Sequence, residues 1–207
     1  MKVLFATTNP AKVKKYKDKL MMHGIELLTI KDLNINLHVE ETGKNAIENA
    51  YIKAKAYFDK TGITTIGMDN NLFIEGLPDE KQPGNYVRRV GGKELTDDEM
   101  IEHYTGLVKE YGGKLTAKWL YGMVIYDGKT PKEYSWAKSH FYFVDTPCEK
   151  RNPGYPLDSM SIMPSCNKYF VDLTDEDRKL DEKNYNEDDV IEFIVRSVKE
   201  KEEEHEL

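Results

Sequence analysis

The sequence predicts an α/β protein whose β-sheet is covered by helices. Three observations predict this class: an opening order of strand, loop, helix and strand, two long aromatic and β-branched strands in 115–144, and amphipathic helices spread along the chain. A strand, a polar loop, a helix and a second strand form the unit from which covered sheets are built. The 207 residues suffice for one large domain or two closely packed lobes.

The opening unit is predicted from hydrophobic spacing. A continuous apolar run indicates a buried strand over 2–7, and it ends in the turn residues Thr7-Thr8-Asn9-Pro10. Apolar residues at helical spacing predict a helix from Ala11 to about His23, because Gly24 ends the pattern. A second strand is predicted over 25–30.

The middle of the chain predicts a second helix, two short strands and a third helix. Small residues line one face of the helix over 44–60. Strands are expected over 64–69 and 72–77, joined by a tight turn at Asp69-Asn70-Asn71. Thr96 is followed three residues later by Glu99, the pattern of a capping box, which predicts a helix to about Tyr111.

The last third predicts a hairpin and a C-terminal helix. Residues 115–126 and 132–144 read as two antiparallel strands joined through Asp127-Gly128-Lys129. A helix capped by Asn186 follows, and an acidic, solvated tail is expected over 199–207.

Charge and composition narrow the partners. The formal net charge is −7 at pH 7, which disfavours sequence-independent nucleic-acid binding. No apolar run approaches membrane-spanning length, so we expect a cytoplasmic protein with no membrane partner. Two cysteines, Cys148 and Cys166, lack a companion pair at metal-site spacing and are expected to be reduced thiols.

The first candidate site is the loop between the first strand and the first helix, Thr7-Thr8-Asn9-Pro10-Ala11-Lys12. A helix start offers unpaired backbone N–H groups and partial positive charge, and Lys12 adds a full charge, so phosphate binding is physically natural. The alternative is an ordinary loop in which Asn9 caps the helix and Pro10 begins its first turn.

Two acids and two cations could complete such a site. Glu40 and Asp69 are candidate magnesium ligands, since magnesium prefers a few carboxylates together with water and phosphate oxygens. Lys53 and Arg88 could neutralise phosphate charge. The alternative is that these acids are solvated loop and turn residues and that Lys53 is a surface lysine.

Several blocks in one order carry a family resemblance. They are Ala6-Thr7-Thr8-Asn9-Pro10-Ala11-Lys12, Glu40-Glu41-Thr42-Gly43, Glu48-Asn49-Ala50-Tyr51-Ile52-Lys53-Ala54, Asp69 and Pro83-Gly84-Asn85-Tyr86-Val87-Arg88. The order resembles the inosine triphosphate pyrophosphatase (Ham1-like) family, with its pattern T-x-N-x-x-K, E-x-T-G, E-N-A-x-x-K-A, D-D-S-G-L and P-G-x-Y-x-x-R. The similarity covers the first ninety or so residues and continues through Asp158 and Leu173-Thr174.

The resemblance implies a long central mixed sheet flanked by helices, two lobes in a single domain over 1–207, a nucleotide cleft between the lobes, and a homodimer. It also implies hydrolysis of a nucleoside triphosphate to the monophosphate and pyrophosphate with Mg²⁺, through water attack at the α-phosphorus. By position, Glu40 and Asp69 would hold the metal, and Asp69, Lys12 and Lys53 would be catalytic. The substrate-binding residues implied or suggested are Thr7, Thr8, Asn9, Lys12, Lys53, Asn70, Arg88, Tyr155, Asp158, Arg178 and Lys183.

The sequence departs from the family pattern in three regions. Met68-Asp69-Asn70-Asn71 stands where the family has Asp-Asp-Ser-Gly, so the first acid is lost and Asn70 replaces serine. Tyr155 and Asp158 lie in the segment that corresponds to the family's base-binding segment. Arg178 stands in for the family's lysine that precedes a Ser-His-Arg motif, and Lys183 lies where that motif is usual. Base preference is therefore open, and alternatives to a purine-specific enzyme are a binding or regulatory protein with little turnover and a pyrophosphatase for another modified base.

Overall fold

The computed structural model describes residues 1–203. Within this range the helices are α1 (Pro10–Met22), α2 (Ala46–Thr61), α3 (Asp97–Glu110), α4 (Asp175–Lys179), α5 (Glu182–Tyr185) and α6 (Asp188–Glu203). The strands are β1 (Lys2–Phe5), β2 (Glu26–Thr29), β3 (Thr65–Ile74), β4 (Arg89–Val90), β5 (Lys93–Glu94), β6 (Lys114–Tyr126), β7 (Lys132–Val144), β8 (Ser161–Met163) and β9 (Lys168–Tyr169). The predicted α/β class is confirmed.

The main sheet is mixed. Across residues 1–203, seven strands follow the order β2, β1, β3, β6, β7, β8, β9. β1 is parallel to both neighbours, and Val3 pairs with Leu27 while Leu4 pairs with Thr65. β8 is antiparallel to β7 and to β9. The sheet therefore has the mixed architecture that the family resemblance implies.

Within the described residues, the first compact unit comprises 1–70, 121–136 and 187–203. Val3 and Phe5 pack in one apolar cluster with residues of α1 and α6, whereas Leu4 packs in another with Tyr57 of α2. Successive residues of a strand point to opposite faces of a sheet. In this unit α1 and α6 therefore cover one face and α2 covers the other.

Helix α2 lies unusually close to β3. Asn45 caps its start by accepting from the backbone N–H of Glu48, and Gly62 ends it at a φ of 67°. A Cβ atom added at Gly67 would collide with the carbonyl group of Ala50, so only glycine permits this approach. The close packing brings the next turn of α2 to the middle of β3, where Asp69 lies.

The second compact unit comprises 71–120 and 137–186. Its apolar cluster joins residues of α3, β7 and the second half of β3. Tyr104 is fully buried there, and its hydroxyl donates to the carbonyl oxygen of Val87 at 2.8 Å. The capping box at Thr96 and Glu99 is present, so the predicted start of α3 is confirmed.

The predicted turn at Asp69-Asn70-Asn71 is wrong, because β3 runs without interruption from Thr65 to Ile74. A tight hairpin turn needs positive φ angles, and none occurs at these three residues. The chain instead stays extended, and Leu72 exchanges two backbone hydrogen bonds of 3.0 Å with Gly84. These three polar residues therefore lie within a strand and not in a turn.

The C-terminal helix is longer than predicted. α6 begins at Asp188, two residues after the predicted cap Asn186, and continues to Glu203, so most of the expected 199–207 tail is helical. Residues 204–207 lie outside the described range. Cys148 and Cys166 are free. Among the helices described, none is both long and apolar enough to cross a bilayer.

Candidate active site

The loop between β1 and α1 is built around the helix start. The side chain of Asn9 caps α1 by accepting from the backbone N–H of Ala11 at 3.0 Å, and Pro10 occupies the first turn. The hydroxyl oxygen of Thr7 accepts from the backbone N–H of Asn9 at 3.1 Å, while Thr8 is exposed. The capping alternative thus describes the local structure, and phosphate binding at Thr7, Thr8 and Asn9 stays a prediction that this geometry permits.

Lys12 reaches from the first turn of α1 to the middle of β3. Its ammonium donates to Oδ1 of Asn70 at 3.3 Å. Burial, and secondarily the positive charge of Lys53, lower the pKa of Lys12 to about 8. The two lysines are therefore close enough to concentrate positive charge beside the opening loop.

Lys53, on α2, lies between two carboxylates. Its Nζ atom is 2.9 Å from Oε1 of Glu41 and 3.6 Å from Oδ1 of Asp69. Only 14% of the Lys53 side chain and 12% of the Asp69 side chain are exposed, whereas Glu41 is 38% exposed. Lys53 is therefore a partly buried counter-ion rather than a surface lysine.

The other oxygen of Asp69 is also paired. Oδ2 accepts from the side-chain amide of Asn49 at 3.0 Å, and Asn49 is buried. Asn49 was not among the candidate residues predicted from the sequence. Its position one turn before Lys53 on a helix was the available signal, since residues four apart share a helix face.

Glu41, rather than Glu40, is the acid that faces this cluster. From Leu33 to Glu41 the exposure of the side chains alternates strictly, with odd-numbered residues partly buried and even-numbered residues exposed. Leu33, Leu37 and Val39 pack on the apolar cluster beneath. Leu33 and Asn34 belong to a turn, and the alternation over 35–41 is that of an extended segment, in which successive residues lie on opposite sides. Glu41 is therefore on the inward side and Glu40 on the solvent side. A metal-binding role for Glu40 stays a prediction with no contact to support it.

The carboxylates of Glu41 and Asp69 are the candidate ligands for a hard divalent cation. Oxygens from both lie within 3.6 Å of one nitrogen atom. In residues 1–203 no group of three or more His, Cys, Asp or Glu side chains has the arrangement of a metal site. Magnesium commonly binds through one or two carboxylates and completes its shell with water and substrate phosphates, so this donor set fits magnesium bound together with a polyphosphate.

The remaining predicted residues lie in the second unit. The guanidinium of Arg88 donates to the carbonyl oxygen of Leu95 at 2.9 Å and to Asp97 at 2.7 Å. It is already engaged in ion pairing, and its predicted contact with phosphate requires an exchange of partner. The bidentate donor geometry of arginine suits either acceptor.

Two of the predicted base-binding residues, Asp158 and Arg178, lie near the partly buried Tyr185. Asp158 accepts from the amide of Asn152 at 2.8 Å, and Tyr155 precedes the 3₁₀ turn Pro156–Ser159. Burial raises the pKa of Tyr185, and the negative charge of Asp158 raises it further, whereas the positive charge of Arg178 lowers it. Asp158 and Arg178 thus share one neighbourhood. Lys183 is exposed on α5, and its role stays a prediction.

Comparison with known proteins decides the family. The Ham1 family model matches residues 3–182, which is most of the chain. This chain belongs to the Ham1 family. The family predicted from the sequence is therefore confirmed.

Curated relatives of this Ham1 chain carry the name dITP/XTP pyrophosphatase. The protein of Aquifex aeolicus (strain VF5) is 30% identical over 190 residues, covering 86% of this chain and 88% of that protein. The protein of Leptospira interrogans (strain Fiocruz L1-130) is 46% identical over 92 residues, covering 44% of this chain and 46% of that protein. The Ham1 chain thus spans about half the length of the second relative and most of the first.

Solved structures agree with the fold. The Ham1 protein of Staphylococcus aureus superposes with a TM-score of 0.73 at 21% identity, covering 97% of this chain and all of that one. A Ham1 protein of Coxiella burnetii gives a TM-score of 0.72 at 21% identity, covering 97% and 99%. At this identity the likeness establishes the fold alone.

Proposed function

We propose that this Ham1 chain is a nucleoside triphosphate pyrophosphohydrolase that converts a noncanonical purine nucleoside triphosphate to the monophosphate and pyrophosphate. The observation that carries the proposal is the cluster beside the middle of β3, where Lys53 lies 2.9 Å from Glu41 and 3.6 Å from Asp69. The names of the relatives support dITP and XTP as the first candidate substrates, and the family resemblance adds ITP.

The opening loop and the two lysines bind the polyphosphate in this proposal. The start of α1 offers backbone N–H groups and the positive end of a helix dipole. Lys12 and Lys53 add positive charge beside this loop, and the charge of Lys53 contributes to the lowered pKa of Lys12. Charge-assisted hydrogen bonds from lysine to phosphate then neutralise the negative charge that leaves with pyrophosphate.

Glu41 and Asp69 hold Mg²⁺ in the proposal. When bound, the ion supplies charge neutralisation at the phosphate oxygens and helps to orient the substrate. Lys53 must release at least one carboxylate for this, and a triphosphate offers its ammonium a new anionic partner. The exchange keeps the number of ion pairs in a partly buried site unchanged, which avoids an uncompensated charge.

Asp69 is the group proposed to act on the attacking water. Its carboxylate orients the water and accepts a proton as a new bond forms between the water oxygen and the α-phosphorus. The bond between the α-phosphorus and the bridging oxygen breaks, and pyrophosphate leaves with that oxygen. In phosphoryl transfer the protein contributes mainly positioning and charge stabilisation, which a pre-arranged set of acids and lysines provides.

Base recognition is assigned to the second unit. Tyr155 offers an aromatic face for stacking, and Asp158 offers an acceptor for a base N–H group. Arg178 and Lys183 are candidate donors to a base oxygen, and Arg88 is a candidate phosphate contact.

A homodimer and a cytoplasmic location remain predictions, and light scattering of the purified protein tests the first.

Product analysis tests the proposal. The purified protein is incubated with Mg²⁺ and ITP, dITP, XTP, ATP, GTP or dUTP, and pyrophosphate and orthophosphate are measured separately beside the Asp69→Asn variant. Pyrophosphate as the first product, from inosine or xanthine nucleotides above all, supports it, with Asp69→Asn inactive. Orthophosphate as the first product overturns it. Nucleotide binding without pyrophosphate release identifies the protein as a binding or regulatory member of the family.

A further inference from the structure

Asn49 joins the two acidic parts of the candidate site through one side chain. It is 1% exposed and lies on α2, one turn before Lys53. Its Oδ1 accepts from the backbone N–H of Gly43 at 2.7 Å, and its Nδ2 donates to Oδ2 of Asp69 at 3.0 Å. The first contact fixes the segment that carries Glu41, and the second fixes Asp69 itself.

The orientation of this amide is determined by its partners. The backbone N–H of Gly43 can only donate, so the oxygen of the amide must face it. An ionised Asp69 carboxylate can only accept, so the nitrogen must face the acid. A flipped amide would lose both hydrogen bonds in a buried place, where an unmet polar group is costly. Asn49 is thus held in one orientation, and it holds Asp69 in return.

The segment before α2 approaches Asn49 too closely for any other residue at position 43. A Cβ atom there would lie 2.6 Å from Oδ1 of Asn49 and 2.7 Å from Cβ of Glu48. The close approach permits the 2.7 Å hydrogen bond and places Glu41, two residues earlier, beside Lys53. The location of Glu41 therefore depends on Asn49 through the backbone.

We propose that Asn49 is a positioning residue that holds Asp69 and the Glu41 segment in register for divalent metal binding. It touches neither substrate nor metal. This inference rests on the proposed function, in which Asp69 and Glu41 bind Mg²⁺. Groups that hydrogen-bond to a metal-binding side chain orient it, and their loss commonly costs 10- to 100-fold in metal affinity or activity.

The test compares Asn49→Ala with Asn45→Ala. Asn45 is an exposed asparagine at the cap of the same helix, and its loss weakens α2 without altering the contacts of either acid. We measure Mn²⁺ binding to the nucleotide-free protein by paramagnetic resonance, kcat and KM for dITP, and Tm. A purely structural role predicts that both variants lower Tm and leave the metal dissociation constant unchanged.

The proposal predicts a different outcome for Asn49→Ala. The Mn²⁺ dissociation constant rises and kcat falls, each by about 10- to 100-fold, while KM for dITP stays within about threefold of the wild-type value because the lysines remain. Asn45→Ala keeps the wild-type kcat and Mn²⁺ affinity. An Asn49→Ala protein with wild-type Mn²⁺ affinity and kcat overturns the inference.

A second variant covers the case in which Asn49→Ala does not fold. Asn49→Asp keeps the shape and the acceptor for Gly43 but removes the donor to Asp69 and sets two carboxylates against each other. It is expected to lose at least tenfold in kcat, and a wild-type kcat overturns the inference. Wild-type protein that binds Mn²⁺ but releases no pyrophosphate overturns the proposed function alone. Wild-type protein that binds no Mn²⁺, either alone or in the presence of inorganic tripolyphosphate, overturns both.

Discussion

Nζ of Lys53 lies 2.9 Å from Oε1 of Glu41, and this contact identifies the inward-facing acid of the Glu40-Glu41 pair. The same nitrogen is 3.6 Å from Asp69, so one cation serves two acids. Removing one member of a partly buried ion cluster leaves the others uncompensated. The cluster is therefore sensitive to single substitutions in ways that distinguish its members.

Glu41→Gln tests which glutamate belongs to the site. Glutamine keeps the shape but loses the negative charge that a divalent cation requires. We expect kcat to fall by about 10- to 100-fold and the Mg²⁺ concentration for half-maximal rate to rise. The measurement is pyrophosphate release from dITP across a Mg²⁺ titration.

Glu40→Gln is the matched control for Glu41→Gln, since it makes the same chemical change at the exposed neighbour. Its kcat and Mg²⁺ requirement should stay within about twofold of wild type, because surface substitutions away from a site have small effects. The reverse ranking of the two variants would return the metal-binding role to Glu40.

Lys53→Met should separate metal binding from turnover. A unit charge about 4 Å away contributes about 4 kcal/mol at an effective dielectric constant of 20, and the exposure of Glu41 reduces this. Without the ammonium, we expect the nucleotide-free protein to bind Mn²⁺ about tenfold more tightly, while pyrophosphate release is lost with the phosphate contact. Calorimetry with Mn²⁺ measures the first effect.

The stability of Lys53→Met gives an internal check on that prediction. Two carboxylates without their shared cation repel each other, so Tm should fall in chelator and recover when Mn²⁺ is added. A Tm that is equally low with and without Mn²⁺ would show that the two acids do not form a cation site.

The longer helices and most of the longer strands could be predicted because their signals are local, whereas the short elements β4, β5, β8, β9, α4 and α5 were not predicted. Hydrophobic spacing and caps fixed α1, α2 and α3 to within a few residues. The interruption of β3 was predicted wrongly, since Asp69-Asn70-Asn71 has the composition of a turn but lies in a strand stabilised by its neighbours. Tertiary pairing overrides local preference in such cases.

The candidate site was predicted less completely than the fold. The alternation of apolar and polar residues from Leu33 to Val39 was present in the sequence, and its continuation favours Glu41 over Glu40 as the inward-facing acid. The contacts of Asn49 could not be predicted in this way, because they depend on how closely α2 approaches Gly67. Spacing along a chain identifies a helix face but not the distance to the next element.

Lys12 predicts a pH-dependent polyphosphate affinity. Its pKa is lowered from 10.5 to about 8, chiefly by burial. The free protein thus loses this charge as the pH rises above 8, and binding of an anion must then take up a proton. The dissociation constant for inorganic tripolyphosphate should rise above pH 8, by at most about tenfold per unit.

Lys12→Arg supplies the comparison, since arginine stays charged across this range. Dividing the wild-type dissociation constant by that of the variant cancels the effect of ligand titration. This ratio should be constant below pH 8 and should rise from pH 8 to 9.5. Folding stability changes in the opposite direction. In the unfolded chain Lys12 stays protonated up to a pH of about 10.5, so its contribution to the free energy of unfolding increases as the pH rises from 8. A flat ratio contradicts the prediction.

Gly67→Ala should show that close packing of α2 on β3 supports the site. The added Cβ atom would collide with the carbonyl group of Ala50, and neither backbone can move without disturbing the buried faces of α2 and β3. Overpacking of this kind costs about 1 to 3 kcal/mol or more, measured by urea unfolding.

Gly106→Ala is the control, since its Cβ would meet nothing within 4 Å on the exposed side of α3, and it should be neutral or stabilising by up to about 1 kcal/mol. Because Asn49 and Lys53 flank Ala50 on α2, the displacement should also weaken Mn²⁺ binding in Gly67→Ala. If Gly67→Ala changes neither the free energy of unfolding nor the Mn²⁺ affinity, close packing of α2 on β3 does not support the positions of Glu41 and Asp69.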